Sequence, residues 1–238
     1  TVADTGPGIP PEYADRLFTT RVTAVPGAKR LTSNDFSAVI ECAKKCAPLP
    51  EERVRESTVG FHQSVILGLA DKIVAAVKAG KISHFFLVGG CDGYEGARNY
   101  FSDFAQATPK DSLILTLGCG KFRIRDNDYG TLDLPGVGPI PRLLDMGQCN
   151  NAYGAIQVAV ALAKAFDCGV NDLPLTLAIS WFEQKAVAVF LTLLALDVKG
   201  VRLGPNPPAF VSSNVFRILQ DKYNLRLTNG HAAADVQA

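Results

Sequence analysis

The sequence lacks the features that would direct it to a membrane or a nucleic acid. Its longest apolar runs fall short of the roughly 20 residues that a helix needs to span a bilayer. The 24 basic and 23 acidic side chains leave a formal net charge of +1, so no excess of one sign favours a polyanionic surface. No secretory signal is visible. We therefore expect neither a nucleic-acid partner nor a membrane partner.

The sequence also lacks any Cys-x-x-Cys pair, although it contains six cysteines. This absence argues against the usual structural zinc sites. An even number of cysteines can indicate disulfides in a small secreted domain, but 238 residues with 47% hydrophobic content can form a core without them. We therefore expect reduced cysteines and a cytoplasmic protein. The six are Cys42, Cys46, Cys91, Cys119, Cys149 and Cys168.

The sequence does contain short apolar runs that alternate with segments of helical periodicity. The predicted strands are 84–89, 112–117, 142–146, 175–181, 201–203 and 225–228. The predicted helices are 36–43, 61–79, 95–107, 151–166, 183–197 and 213–222. Strands that alternate with helices predict an α/β fold, and continuously apolar strands predict a sheet covered on both faces. We expect a Rossmann-like, mainly parallel sheet flanked by helices.

The remaining segments suggest three parts of the chain. Residues 1–32 are rich in glycine, proline and threonine and predict an irregular lead-in. Residues 33–228 form the predicted α/β domain, within which 120–140 read as a long loop. Residues 229–238 predict a flexible tail.

Chemistry-bearing residues follow four of the predicted strands. Cys91, Cys119 and Cys149 each come shortly after a strand and a glycine, and Glu183 follows the fourth strand. In open parallel sheets, ligands bind beyond the carboxyl ends of the strands. Thiolates select zinc, copper(I) or iron–sulfur clusters, and a carboxylate adds an oxygen ligand. Three thiols and one carboxylate suit an iron cluster with unequal irons better than a closed zinc site.

Each of these residues also has a plainer interpretation. A single cysteine is most often a small buried hydrophobe, and we expect this of Cys42, Cys46 and Cys168. Lys185, two residues beyond Glu183, could supply protons or hold an anion at the same edge. Alone, it would be a solvated residue at a helix start, although a cation there opposes the helix dipole.

Two nucleotide-binding patterns are incomplete. The opening segment, "VADTGPGIPPEYADRLF", is similar to the ATP-binding glycine box of sensor histidine kinases, but the Asn-bearing helix and the second glycine loop of those domains are missing. The glycines at 89, 90, 93 and 96 do not have the dinucleotide spacing G-x-G-x-x-G. We expect neither segment to bind a nucleotide.

Several motifs in order resemble one family. The segments "HFFLVGGCDG", "LILTLGCGKFR", "LLDMGQCNNAYGAIQVAVALAKAF", "LAISWFEQKAVAVF" and "VRLGPNPPAF" resemble the C-terminal domain of the hybrid cluster protein family, also called prismane proteins or hydroxylamine reductases. The resemblance covers about residues 10–228. It implies a Rossmann-like domain that follows other domains. The relatives of this family include the carbon monoxide dehydrogenases.

The resemblance implies a cofactor and its ligands. The family binds a hybrid iron–sulfur–oxygen cluster with four irons, two sulfurs and two oxygens. Cys91 matches a cysteine that carries a persulfide, and Cys119 and Cys149 match two further cysteine ligands. Glu183 matches the carboxylate ligand, and Lys185 matches a lysine beside the cluster. The family takes its remaining ligands from an earlier domain and has a second, ordinary iron–sulfur cluster near its N-terminus.

The implied activity is reduction of hydroxylamine to ammonia and water, with nitric oxide as a second substrate and a redox protein as electron donor. Because the earlier domain is missing here, this chain is expected to be a piece that supplies part of the cluster shell. Two alternatives stay open. One is a carbon monoxide dehydrogenase-like cluster domain, and the other is a truncated, non-catalytic fragment that binds a partner or nothing.

Overall fold

A computed structural model describes residues 15–20, 26–48, 56, 59–93, 98–181 and 184–237. The chain divides into two compact units, Thr1–Arg55 and Glu56–Ala238. The predicted boundary after residue 32 differs from this division, because the first predicted helix belongs to the first unit. In the described ranges, no helix is both long and apolar enough to cross a bilayer.

The first unit contains more regular structure than its composition indicates. Strands β1 (Phe18–Thr20) and β2 (Lys29–Leu31) pair in parallel, and helix α1 (Ser37–Lys45) follows. The prediction of an irregular lead-in is therefore wrong for these two strands. Each strand has only three residues, which is too short for a periodic pattern to show in the sequence.

The second unit carries the alternating pattern. Its helices are α2 (Gln63–Gly68), α3 (Ala70–Lys78), α4 (Tyr100–Ala107), α5 (Lys121–Ile124), α6 (Ala152–Ala165), α7 (Gln184–Ala195), α8 (Ser213–Tyr223) and α9 (Ala232–Gln237). Its strands are β3 (His84–Val88), β4 (Ser112–Thr116), β5 (Thr131–Leu134), β6 (Gly138–Pro141), β7 (Leu143–Asp145), β8 (Leu175–Ile179), β9 (Arg202–Leu203) and β10 (Arg226–Leu227). All six strands predicted from the sequence are present.

The central sheet has six strands in the order β10-β9-β8-β3-β4-β7, and every neighbouring pair is parallel. The predicted α/β class with a parallel sheet is confirmed. Strand order reverses direction at β3, where the chain moves first to β4 and β7 on one side and then to β8 on the other. Ligand sites in such sheets lie at the carboxyl edge near this reversal.

Both faces of the sheet are covered, as the apolar strands predict. Alternate side chains of β3 point to opposite faces, so Phe85 packs with the cluster that includes α2, α3 and α6. Phe86 and Val88 pack on the other side, with residues of α4 and α9. A third cluster joins β8 and β9 to α7. These layers hold the carboxyl ends of the strands together at one edge of the sheet.

Two predicted elements need correction. The helix predicted at 61–79 is two helices, α2 and α3, because it is interrupted at Leu69, directly after Gly68, a residue of low helix propensity. The predicted loop at 120–140 contains α5 and an antiparallel hairpin of β5 and β6.

The C-terminal residues are a helix and not a flexible tail. Helix α9 packs against α4, and Asp235 on α9 is buried. Its carboxylate accepts hydrogen bonds from Arg202 at 2.8 Å and from Tyr100 at 2.6 Å. Both partners lie far away in the sequence, so no local pattern could predict this docking.

Candidate metal centre

The three cysteines singled out from the sequence lie at adjacent ends of parallel strands. Val88 at the end of β3 pairs with Thr116 of β4, which pairs in turn with Asp145 of β7. Cys91 follows the first of these positions, Cys119 the second and Cys149 the third. The sheet therefore brings three cysteine-bearing turns to one edge, as predicted. Cys119 is exposed, and Cys91 and Cys149 are half-buried.

The turns of Cys119 and Cys149 touch directly. The Gly118 N–H donates to the Gly147 carbonyl at 2.9 Å. A Cβ atom on Gly118 would lie 3.2 Å from the Cys149 sulfur, and the φ angle of +77° there disfavours any side chain. Gly118 thus lets the backbone before one cysteine approach the sulfur of the other.

The turns of Cys119 and Cys91 touch as well. A Cβ atom on Gly120 would overlap the Gly90 carbonyl oxygen and lie 3.2 Å from the Cys91 Cα atom. Any side chain at position 120 would push the two turns apart. The glycines beside Cys119 therefore allow close contact on both sides of that turn.

The loop of Cys91 is fixed by its own hydrogen bonds. The Gly93 N–H donates to the Cys91 sulfur at 3.2 Å. The neighbouring Asp92 carboxylate is buried and accepts the backbone N–H groups of Phe101 and Ser102 at 3.0 Å each. Asp92 thus ties the loop to the start of α4, a role that its position after a cysteine does not reveal.

A buried ion pair links the other two turns. Lys121, two residues after Cys119, donates to Asp145 Oδ1 at 3.0 Å. The same oxygen accepts the Gly147 N–H at 2.8 Å. The sequence patterns considered above do not predict Lys121 or Asp145 as site residues. The sequence does contain a signal for this pair. Asp145 ends a buried strand, and a buried carboxylate is rare unless a cation such as Lys121 pairs with it.

Lys185 lies on the first turn of α7 and is exposed. It lines a mainly apolar cavity of about 270 Å³ between the sheet, α6 and α7, together with Cys149, Ser180 and Gly89. The structure therefore places Lys185 and Cys149 at one cavity. Glu183 lies outside the described residues.

The three cysteines are suitable ligands for a thiolate-bound cofactor, but the described residues do not surround a metal ion. In the described parts of the chain, no three His, Cys, Asp or Glu side chains come close enough to hold a metal ion together. What the edge offers is three soft thiol donors on turns that Gly118 and Gly120 allow to touch, because neither residue has a Cβ atom to separate them. These residues fit one side of an iron–sulfur site.

The fold and the touching cysteine turns define an α/β domain with thiol donors at one edge of a parallel sheet. The sequence model of the Prismane/CO dehydrogenase family matches residues 1–237, and the chain belongs to this family. The family resemblance expected from the motifs is confirmed. The match also includes the segment that is similar to a kinase glycine box, most of which lies outside the described residues.

Curated relatives are about half identical to the chain over the residues that align. The hydroxylamine reductase of Moorella thermoacetica is 55% identical over 92% of this chain and 50% of its own length. Hydroxylamine reductases of Burkholderia lata and Thermodesulfovibrio yellowstonii are 49% and 51% identical and are covered over 40% and 39% of their length. The chain thus spans half or less of the relatives it matches.

Solved structures share the fold at lower identity. Carbon monoxide dehydrogenase from Thermococcus sp. AM4 is 22% identical with a TM-score of 0.63, over 92% of this chain and 40% of that one. Carbon monoxide dehydrogenase IV from Carboxydothermus hydrogenoformans is 21% identical with a TM-score of 0.66, over 94% and 44%. These likenesses support the α/β fold alone.

Proposed function

We propose that this chain is the cluster-binding domain of a hydroxylamine reductase, an oxidoreductase that converts hydroxylamine to ammonia and water. One observation carries the proposal. Three thiols lie on touching turns at the carboxyl edge of a parallel sheet, in a chain about half identical to hydroxylamine reductases.

The cofactor follows from the family and from the donors. Membership of the Prismane/CO dehydrogenase family implies an iron–sulfur cluster, and thiolates are its usual ligands. We assign Cys91, Cys119 and Cys149 as ligands, with Cys91 as the persulfide-bearing cysteine and Glu183 as a carboxylate ligand. The proposed cluster is of the hybrid iron–sulfur–oxygen type, and its other ligands come from a segment that this chain does not contain.

Bound in this way, the cluster would supply electrons to the N–O bond of the substrate. The reaction consumes two electrons and two protons for each hydroxylamine, so the site needs a proton source. Lys185 lines the same cavity as Cys149, and its Nζ atom can donate a proton to the departing oxygen. The walls of that cavity are mainly apolar, which would strengthen electrostatic interactions with a bound substrate. A redox protein would deliver the electrons, and nitric oxide is a second possible substrate.

The ligand assignment predicts a large difference between two triple variants. The chain is purified without oxygen, reconstituted with iron and sulfide, and analysed for bound iron and by electron paramagnetic resonance. Replacing Cys91, Cys119 and Cys149 together by Ala should abolish iron binding. The matched control replaces Cys42, Cys46 and Cys168 and should retain it. Equal and measurable iron content in the two variants would refute the assignment, and no iron in any chain would favour the non-catalytic fragment.

Activity is tested on a chimera, because the chain spans only half of its relatives. The chain replaces the matching half of the Moorella thermoacetica enzyme, and ammonia formation from hydroxylamine is measured with a reduced dye as electron donor. We expect activity, and a loss of about 10²-fold for Lys185→Ala, the usual size of a general-acid contribution. Oxidation of carbon monoxide without hydroxylamine reduction would support the dehydrogenase alternative instead.

A further inference from the structure

Helix α5 is a single short turn that directly follows Cys119, and its two basic side chains reach in different directions. Lys121 contacts the strand end that leads to Cys149. Arg123 contacts the loop that follows Cys91. The three cysteine turns are therefore joined by side chains as well as by the sheet.

The Lys121 contact is buried and charged. The side chains of Lys121 and Asp145 are 9% and 2% exposed, so water screens their attraction little. Asp145 Oδ1 also accepts the Gly147 N–H, two residues before Cys149. A movement of Lys121 would therefore shift the backbone that enters the Cys149 turn.

The Arg123 contact joins the other side. Its guanidinium donates to the Gly93 carbonyl at 3.1 Å and to Asn99 Oδ1 at 2.6 Å. Gly93 is the residue whose N–H donates to the Cys91 sulfur. Arg123 thus holds the peptide that in turn orients Cys91.

We propose that Lys121 and Arg123 are positioning residues that set the spacing of Cys119 to Cys149 and of Cys119 to Cys91 before any cofactor binds. The claim that these spacings serve cluster ligands rests on the function proposed above. The spacing itself is a property of the chain, so it can be measured without iron. We call these two side chains the α5 brace.

The experiment uses a trivalent arsenical in the iron-free chain. Phenylarsine oxide bonds to two thiols and releases water, and its affinity rises steeply when the second thiol is held nearby. One background keeps only Cys119 and Cys149, and a second keeps only Cys91 and Cys119. We expect Lys121→Met to weaken the arsenical about tenfold or more in the first background, and Arg123→Met to do so in the second.

The matched control is Arg202→Met, which breaks a similar buried pair elsewhere in the unit. It should leave arsenical affinity unchanged in both backgrounds, and Lys121→Arg should restore most of the affinity lost in Lys121→Met. If Lys121→Met does not fold, Asp145→Asn makes the same comparison and keeps an acceptor for Gly147. Equal losses from Arg202→Met in a chain that circular dichroism shows to be folded, or no loss from the α5 variants, would overturn the brace.

Iron binding of the wild-type chain is measured in parallel and separates the two proposals. If the chain shows the arsenical pattern but binds no iron, the brace is supported and the proposed function is not. A chain that binds iron without the arsenical pattern retains the function and loses the brace.

Discussion

Two buried ion pairs in the second unit have similar geometry but differ in the hydrogen bonds that their carboxylates accept. Lys121 and Asp145 meet at 3.0 Å beside the cysteine turns, and Arg202 and Asp235 meet at 2.8 Å where α9 docks. In both pairs each side chain is less than a tenth exposed. Their cost of desolvation is therefore similar, and what separates them is how each carboxylate satisfies its second oxygen.

Asp235 uses both oxygens fully. Its Oδ1 accepts Arg202, and its Oδ2 accepts the Tyr100 hydroxyl and the Asn229 N–H. Asp145 Oδ2, in contrast, accepts no hydrogen bond within the described residues, and the Arg125 guanidinium lies 3.9 Å away. Buried oxygens are usually satisfied, and exceptions concentrate at functional sites. The Arg202–Asp235 pair therefore holds α9 in place, whereas the Lys121–Asp145 pair lies at the proposed cluster site and leaves one carboxylate oxygen without a hydrogen bond in the described part of the chain.

The largest expected effect comes from breaking the fully satisfied pair. Arg202→Met leaves the Asp235 carboxylate buried without a cation, which should lower the free energy of unfolding by about 3–5 kcal/mol. Lys121→Met should cost less, because the Arg125 cation remains near Asp145. Urea unfolding of both variants followed by circular dichroism measures the order, and a greater loss in Lys121→Met would reverse the comparison.

The two pairs also show what the sequence can predict. The short strands are continuous apolar runs, so all six strands of the sheet and the α/β class follow from local pattern, and so does the placement of three cysteines at strand ends. The docking of α9 does not. It depends on Asp235 meeting Tyr100 and Arg202 across the fold, and an alanine-rich segment ending the chain carries no sign of those partners.

The candidate site divides in the same way. The spacing of strand, glycine and cysteine predicts that the three cysteines lie at one edge of the sheet. Periodicity locates the strand ends, and the carboxyl ends of parallel strands lie at the same edge. The Lys121–Asp145 pair depends on register between β4 and β7, which the sequence does not encode locally. Contacts between the turns likewise appear only once the Gly120 and Gly90 backbones are seen to touch.

An intermediate effect is expected at Tyr100, the second partner of Asp235. Burial, followed by the hydrogen bond and the charge of Asp235, raises the Tyr100 pKa above its ordinary value. The unfolded chain then loses the phenol proton first, so this contribution is complete below the ordinary tyrosine pKa of about 10 and is lost as pH rises above it. Tyr100→Phe should cost about 1.5 kcal/mol at neutral pH, as for a hydrogen bond to a charged group.

The measurement is urea unfolding of wild type and Tyr100→Phe from neutral pH to above pH 10. The two stabilities should converge as pH rises, because only the wild type loses the contribution of the phenol. Tyr223→Phe is the control, since the Tyr223 side chain is not among the hydrogen-bond partners of Asp235 described above. A constant difference between wild type and Tyr100→Phe at every pH would show that folding does not raise the Tyr100 pKa.

The smallest effect is expected from Arg125, the cation nearest to the Asp145 oxygen that accepts no hydrogen bond within the described residues. Arg125 Nη1 lies beyond hydrogen-bonding distance from Asp145 Oδ2, and the Arg125 side chain is 28% exposed, so Arg125→Met should cost about 0.5 kcal/mol, as for a weak ion pair. In a Lys121→Met background the same change removes the second of the two cations that the described residues place near Asp145, and it should cost about 2 kcal/mol more. Additive losses in this double-mutant cycle would mean that Asp145 does not share its two cations. A large loss in Arg125→Met alone would mean that Oδ2 is already satisfied, and the contrast with Asp235 would then fail.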